Sequence, residues 1–224
     1  SSLTEELPKS IHDDIESINS ASKNVLQIID GILDISNIEK GNIKLIEKEY
    51  DTLKFFKDLE TITNEQIQNK ELNLELDLDE NIPIKLFGDS GKIKQVLLNI
   101  LNNAIKYTDK GTIKITSKCV KYVNNAKFTI SVSDTGIGIE KEKLSKLFDD
   151  SKKTDNKDYI EGMGLTIAKN LIDLLKGKIE VESKVGEGSK FTIIVDQKVI
   201  NDKTIGEMKN YDPEKKRLNT FHFY

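Results

Sequence analysis

LLNILNNAIKY, residues 97–107, sets Leu97, Ile100, Leu101 and Ala104 at helical spacing and places Asn99, Asn102, Asn103 and Lys106 among them. Asparagine is a mediocre helix former because its amide competes for backbone hydrogen bonds. At about 100° per residue, Ile93, Leu97, Ile100, Leu101 and Ala104 gather on one side of a helix expected from about Ser90 to Tyr107. Asn99, Asn103 and Lys106 gather on the other side. That second face is either a solvated surface or a site. An amide oxygen is a hard donor that suits hydrated Mg²⁺ held against phosphate oxygens. A lysine one turn further on adds positive charge for the same phosphates.

The segments around this helix alternate between strand and helix patterns. Residues 42–50, NIKLIEKEY, read as a strand, and 51–70 return to helical spacing. In LNLELDLD, residues 72–79, Leu72, Leu74, Leu76 and Leu78 share one face, and IKLFGD (84–89) leads into the central helix. GTIKITSKCVKYV and AKFTISVSD pair as a hairpin that turns at Asn124-Asn125. A short helical stretch runs through 140–150, a helix covers 165–176, and residues 178–196 close as a hairpin around Gly186 and Gly188. Strands joined by hairpins and mixed with helices predict an α+β fold. We expect a two-layer sandwich, a mixed sheet covered by helices on one face.

A long helix is expected before this sandwich, over residues 10–40. Ile11, Ile18, Val25 and Ile32 recur every seven residues, which suits left-handed coiled packing against partner helices. An ordinary amphipathic helix packed on its own domain would show a similar stripe. The expected organisation is therefore residues 1–41 as a helical segment, 42–198 as the main domain, and 199–224 as a polar tail or linker.

Composition narrows the classes. Of 224 residues 37% are hydrophobic, enough for a core, and a net charge of −4 is too mild for a nucleic-acid binder. The single cysteine, Cys119, cannot form an internal disulfide, so a reducing, cytoplasmic setting is expected. No apolar run approaches the ~18 residues of a membrane span. The chain opens Ser1-Ser2 and reads as a piece of a longer protein, which leaves a membrane anchor elsewhere in the parent open. Arg217 is the only arginine among 34 basic residues, so the bidentate guanidinium fork that usually grips phosphate is absent from the candidate site.

Two glycine motifs add to the helix. In SVSDTGIGIEKE (131–142) a strand ends at Asp134 and two glycines follow, two residues apart. A carboxylate fixed there can accept a hydrogen bond from an exocyclic amino group such as adenine's; equally, it can simply cap a tight turn. In EGMGLTIAKNLID (161–173), Gly162 and Gly164 lead into an amphipathic helix, whose free N–H groups and dipole favour phosphate. The polar segment before it, with Lys152, Lys153 and Lys157, reads either as a lid or as a surface loop.

Taken in order, NILNNAIKYT, DTGIGI, LFDD and GMGL resemble the N, G1, F and G2 boxes of the sensor histidine kinase ATP-binding domain, in the GHKL ATPase superfamily. ILDISNIEKGNIKL (32–45) is similar to the end of that family's second dimerization helix, and FGDSGKIKQVLLN to its approach to the N box, which implies that residues 1–41 are the remnant of a dimerization and phosphoacceptor domain and 42–198 an ATP-binding catalytic domain. The resemblance implies that Asn103 ligates Mg²⁺ with Asn99 beside it, that Lys106 meets the phosphates, and that Tyr107 lies against adenine. It implies that Asp134 binds the adenine amino group and that Gly136 and Gly138 shape its pocket. Gly162 and Gly164 would flank the triphosphate, with Leu165 closing that run. The implied cofactors are ATP and Mg²⁺. The implied partners are a phosphoacceptor helix of the same protein, a response-regulator receiver domain, and a second copy in a full-length homodimer.

Departures from the family pattern matter as well. Ile160 stands where the G2 run usually has another glycine, and Asp149-Asp150 replace the second aromatic of the F box. The phosphoacceptor motif is missing: His12 lies too close to Ile32 and lacks the downstream proline, and His222 sits in the tail. The fragment is thus expected to bind ATP without phosphorylating itself. Gyrase- and chaperone-type relatives carry a glutamate at the first N-box position to activate water, and Asn99 cannot act as a general base. An anti-sigma-type serine kinase, or a degenerate module that only scaffolds, are the alternatives.

Overall fold

The computed structural model describes residues 15, 18, 44–67, 70–144, 147–148 and 156–207, the stretch 156–163 by its backbone alone. Of the long helix expected over 10–40, only Ile15 and Ile18 are among them, both helical and exposed. His12, His222 and most of the polar segment before Gly162 lie outside the described residues. The chain divides into two units, Ser1–Ile43 and Lys44–Tyr224, and the architecture below is that of the second.

Its elements run β1 (Lys48–Asp51), α1 (Thr52–Ile67), β2 (Glu71–Leu78), β3 (Pro83–Gly88), α2 (Ser90–Tyr107), β4 (Lys110–Tyr122) and β5 (Asn125–Asp134). They continue with α3 (Lys141–Leu144), α4 (Asn156–Leu174), β6 (Lys178–Lys184) and β7 (Gly188–Thr204). The strands form one seven-stranded sheet in the order β1-β3-β7-β5-β4-β2, with β6 beside the first half of β7. All neighbours are antiparallel except β2 and β4, so the sheet is mixed.

Alternation along the strands sends one set of side chains to the helices and the other to the open face. Leu76, Leu78, Ile113, Ile115, Phe128, Ile130, Phe191 and Ile193 are buried. Thr112, Lys114 and Thr116 of β4 lie across from Ser131 and Ser133 of β5 on the polar face. Helices α1, α2 and α4 supply the other half of the core through Phe56, Leu59, Ile93, Leu97, Leu101, Ala168 and Leu171. Phe56 meets Phe128 edge to face, centroids 5.9 Å apart, which joins α1 to the middle of the sheet. Each fully buried Leu or Ile contributes about 1.5–3 kcal/mol.

The central helix follows its sequence closely. Asp89, buried at the end of β3, accepts the Lys92 amide at 2.9 Å on Oδ1 and so caps α2. Its other oxygen, Oδ2, accepts the Ile46 amide at 2.8 Å and fixes the segment entering β1.

Three expectations need correction. The β4–β5 turn is Val123-Asn124, not Asn124-Asn125, with Val123 at φ 52° and Tyr122 paired to Asn125. A β-branched residue resists that conformation, but a one-residue slip would turn Phe128 and Ile130 out of the core. The tail does not begin at 199: β7 continues through Thr204, pairing with β3, and Ile205 beyond it is buried. The third correction concerns α4, which begins at Asn156 rather than 165, so Gly162 and Gly164 lie within it. Each interior glycine costs about 1 kcal/mol relative to alanine, little beside the burial of Leu165, Ile167, Ala168, Leu171 and Ile172 that anchors the same helix.

Candidate functional site

Asp134 ends β5 with its side chain on the covered side of the sheet, opposite Ile113 of β4. Its Oδ1 accepts two backbone amides, Gly136 at 2.9 Å and Ser189 at 3.2 Å. Neither bond uses Oδ2. The carboxyl is half-buried, and burial raises its pKa above the ordinary aspartate value against the opposing pull of those two amides. It is thus a fixed acceptor at the end of an interior strand.

The turn after Asp134 is held on three sides. The Thr135 amide donates to Thr112 O at 3.2 Å, and Thr135 Oγ1 accepts the Thr112 amide at 3.0 Å. The Ile137 amide donates to the carbonyl of Tyr107, the last residue of α2, at 3.2 Å. Ile139 donates to Ser183 Oγ at 2.8 Å, and the Gly186 amide donates to Ile137 O at 2.8 Å. The glycines are required by this crowding. A Cβ on Gly136 would stand 2.3 Å from Tyr107 O, and Gly138 has φ +69° with Lys184 O 2.1 Å from where a Cβ would lie. The DTGIGI turn is therefore wedged between the end of α2 and the β6–β7 hairpin.

The polar face of α2 meets the same region. Asn99, Asn103 and Lys106 follow one another along it, Asn99 and Asn103 partly buried and Lys106 exposed. The Asn99 amide nitrogen is fully buried without a hydrogen-bond partner. Opposite it lies Gly164 of α4, whose Cβ would stand 3.9 Å from Asn99 Oδ1. Lys106 Nζ lies over the Tyr107 ring, 5.1 Å from its centroid, and Tyr107 as a whole is 41% exposed.

Of the residues singled out in the sequence, the structure brings Tyr107, Asp134, Gly136 and Gly138 together at one end of α2. It brings Asn99 to Gly164 further along. It does not bring Leu165 to the surface of the site, because that side chain is in the core at 8% exposure. Gly162 and Gly164 do not precede the free amides of a helix start, which lie at Asn156 instead.

Sequence reasoning missed Ser183 and Ser189. Ser183 Oγ donates to Gly188 O at 2.9 Å and lies 3.0 Å from Ser189 Oγ, so the pair braces the hairpin whose backbone holds Asp134. The available signal was GEGS: Gly188, at φ +99°, would drive a Cβ to 2.0 Å from Asp134 O.

An open cavity of about 380 Å³ begins at Ser133 and Asp134 and is bounded by Glu182, Lys184, Glu187 and Lys190. Charged side chains of both signs rim this cavity, and on the α2 side Tyr107 adds an aromatic ring. Among the described residues no three His, Cys, Asp or Glu side chains cluster as a metal site. A divalent ion held entirely by protein carboxylates does not fit here. An ion that keeps its waters and arrives with phosphate oxygens needs only an amide such as that of Asn103, and this donor set fits Mg²⁺. No described helix is long and apolar enough to cross a membrane.

Residues 88–199 match the family described as histidine kinase-, DNA gyrase B- and HSP90-like ATPase. The autoinducer 2 sensor kinase/phosphatase LuxQ of Vibrio parahaemolyticus is 33% identical over 187 residues, 80% of this chain and 22% of LuxQ. Hybrid signal transduction histidine kinase L of Dictyostelium discoideum is 37% identical over 190 residues, 82% of this chain and 11% of that protein. The chain thus spans about a fifth or less of the length of these curated relatives. Among solved structures, the nucleotide-free catalytic domain of histidine kinase ThkA superposes with TM-score 0.53 at 25% identity, over 68% of this chain and 95% of that one. Full-length ShkA in complex with AMPPNP superposes with TM-score 0.69, over 88% of this chain and 41% of that one; at 19% identity this is a likeness of fold.

Proposed function

Because the chain belongs to the histidine kinase-, DNA gyrase B- and HSP90-like ATPase family, we propose that it is the ATP-binding catalytic part of a sensor histidine kinase and transfers the γ-phosphoryl to a histidine on a separate helix. The observation that carries this reading is Asp134: a carboxylate fixed through Oδ1 by the Gly136 and Ser189 amides, with Oδ2 left to accept the adenine amino group. Tyr107 offers its ring to the base, and Lys106 beside it brings positive charge to the phosphates. Asn99 and Asn103 face the phosphate end of the site. The buried, unpartnered Asn99 amide supplies a donor there, and Asn103 would hold Mg²⁺. When bound, that ion neutralises phosphate charge and helps orient the group transferred.

What the chain contributes is positioning and charge compensation, which is most of what phosphoryl transfer requires. An amide at Asn99 removes no proton from water, so the site favours transfer to a nucleophile brought by another helix over hydrolysis. The acceptor helix, a receiver domain and a second copy of the chain are the partners this reading assigns to the longer protein.

The test joins calorimetry with a transfer assay. Titration with ADP and MgATP is expected to show one site per chain. Incubation with γ-labelled ATP and the acceptor helices of the longer protein is expected to give acid-labile, base-stable phosphate on those helices. Binding without any transfer would instead identify a degenerate scaffold, and absence of binding would refute the site.

A further inference from the structure

Lys70 lies just before β2, outside every motif that marks the site. Its amide donates to Ile67 O at 2.9 Å, which fixes the residue against the end of α1. Its ammonium reaches across to α2, where Nζ donates to Ile105 O at 2.5 Å and to Thr108 O at 3.3 Å. These carbonyls belong to the last turn of α2 and its C-cap, where the helix has no further amides to offer. A cation there also opposes the negative end of the helix dipole.

The two carbonyls flank Lys106 and Tyr107, the exposed pair at the base end of the site. The carbonyl between them, Tyr107 O, accepts the Ile137 amide at 3.2 Å and closes against Gly136. One ammonium thus holds both sides of the segment from which the Asp134 turn hangs. We propose that Lys70 is a positioning residue for the nucleotide: by gripping Ile105 O and Thr108 O it sets the last turn of α2, and through Tyr107 O it sets the Gly136–Gly138 turn around the adenine. This inference rests on the nucleotide reading given above. Lys70 contacts neither the base nor the phosphates; it acts through Tyr107 and Ile137.

The experiment compares wild type, Lys70→Met, which keeps the aliphatic stem, and Lys70→Arg, which keeps charge and donors. ADP affinity is measured by calorimetry and hydrogen exchange of the Ile137 amide by NMR. Lys70→Met is expected to bind ADP about tenfold more weakly, the equivalent of one charge-assisted hydrogen bond. Its Ile137 amide should exchange faster, and Lys70→Arg should restore both readouts. If Lys70→Met does not fold, Lys70→Gln, with a donor on a shorter neutral arm, is read in the same way. A lowered melting temperature with unchanged ADP affinity and unchanged Ile137 exchange would overturn the proposal and leave Lys70 a helix cap only. If wild type itself binds no ADP, the nucleotide reading fails, and the Ile137 exchange rate still decides whether Lys70 holds the turn.

Discussion

The Asp134 carboxylate accepts the backbone amide of Ser189, 55 residues further along the chain, at 3.2 Å. That bond and the one from Gly136 aim the carboxylate but leave it half-buried, with a pKa raised chiefly by desolvation. An amide at this position carries no charge to desolvate, yet with its oxygen kept by the two backbone amides it turns an NH2 donor, not an acceptor, toward an exocyclic amino group. Asp134→Asn is therefore expected to leave the melting temperature unchanged or higher while weakening ADP at least about tenfold, the range of one lost charge-assisted hydrogen bond. Differential scanning calorimetry and titration of the same sample check both halves. Equal affinity in the two proteins would remove Asp134 from the site.

The same raised pKa sets a pH dependence. Asp134 holds its proton in the folded chain at pH values where the unfolded chain has lost it, so it costs stability as pH rises through that window. Its contribution to ligand binding runs the other way, since only the carboxylate accepts on both oxygens. ADP affinity is expected to fall on acidification at a pH above the ordinary aspartate range, before the fold is lost. Titrations between neutral and acid pH, with circular dichroism on the same samples, measure the two effects separately. An affinity that declined only with the folded fraction would contradict the assignment.

Gly136 gives a steric test of the wedge between α2 and the hairpin. A methyl group there would stand 2.3 Å from Tyr107 O and 2.9 Å from Asp134 Oδ1. Neither oxygen can retreat freely, because one is backbone and the other is held by two amides. Gly136→Ala is expected to cost about 1–3 kcal/mol, as overpacking does, and to abolish measurable ADP binding. Urea denaturation and calorimetry give the two values.

Much of this was legible beforehand, and the exceptions share a cause. Periodicity located α2 because Ile93, Leu97, Ile100 and Leu101 face a core on one side only; the Asp89 cap at its start was not read from the sequence. The alternating leucines of β2 predicted a strand and its inner face. They could not show that the neighbour is β4, in parallel, because alternation carries no information about partners. Residues 199–204 read as a tail because they are polar and irregular in sequence; what holds them is backbone pairing to β3, which leaves no apolar signature. Ser189 was missed for a similar reason: it reaches Asp134 only through the β5–β7 register and through its backbone, not its side chain. The start of α4 was misplaced because glycines suggest a boundary, and here the buried residues after them carry the helix through.

Cys119 provides a check on the sheet that is independent of any ligand. It is 7% exposed on β4, and burial together with the nearby Asp79 carboxylate pushes its thiol up to about 11. Asp79 is held in place there, since its Oδ2 accepts the Cys119 amide at 3.2 Å. At pH 8 the folded chain is expected to resist alkylation for as long as it stays folded, and to react at the rate of an ordinary thiol in denaturant. Rapid modification of the native protein would mean that β4 opens readily around Cys119, where it pairs with β5.

The metal reading gives a prediction that separates two parts of the site. Asn103 and Asp134 serve different ends of the proposed nucleotide, one the phosphates and the other the base. Removing the Asn103 amide oxygen takes a ligand from an ion that keeps most of its shell as water and phosphate oxygens. Asn103→Ala is therefore expected to weaken MgATP about tenfold or more, the scale on which loss of an ion's supporting contact is usually felt, while leaving the affinity for metal-free ADP nearly unchanged. Asp134→Asn should weaken both ligands alike, because the base is common to them. Titrating each variant with ADP in chelator and with ATP in magnesium gives four affinities. If the losses for Asn103→Ala proved equal in the two conditions, Asn103 would bind the nucleotide itself and not the ion.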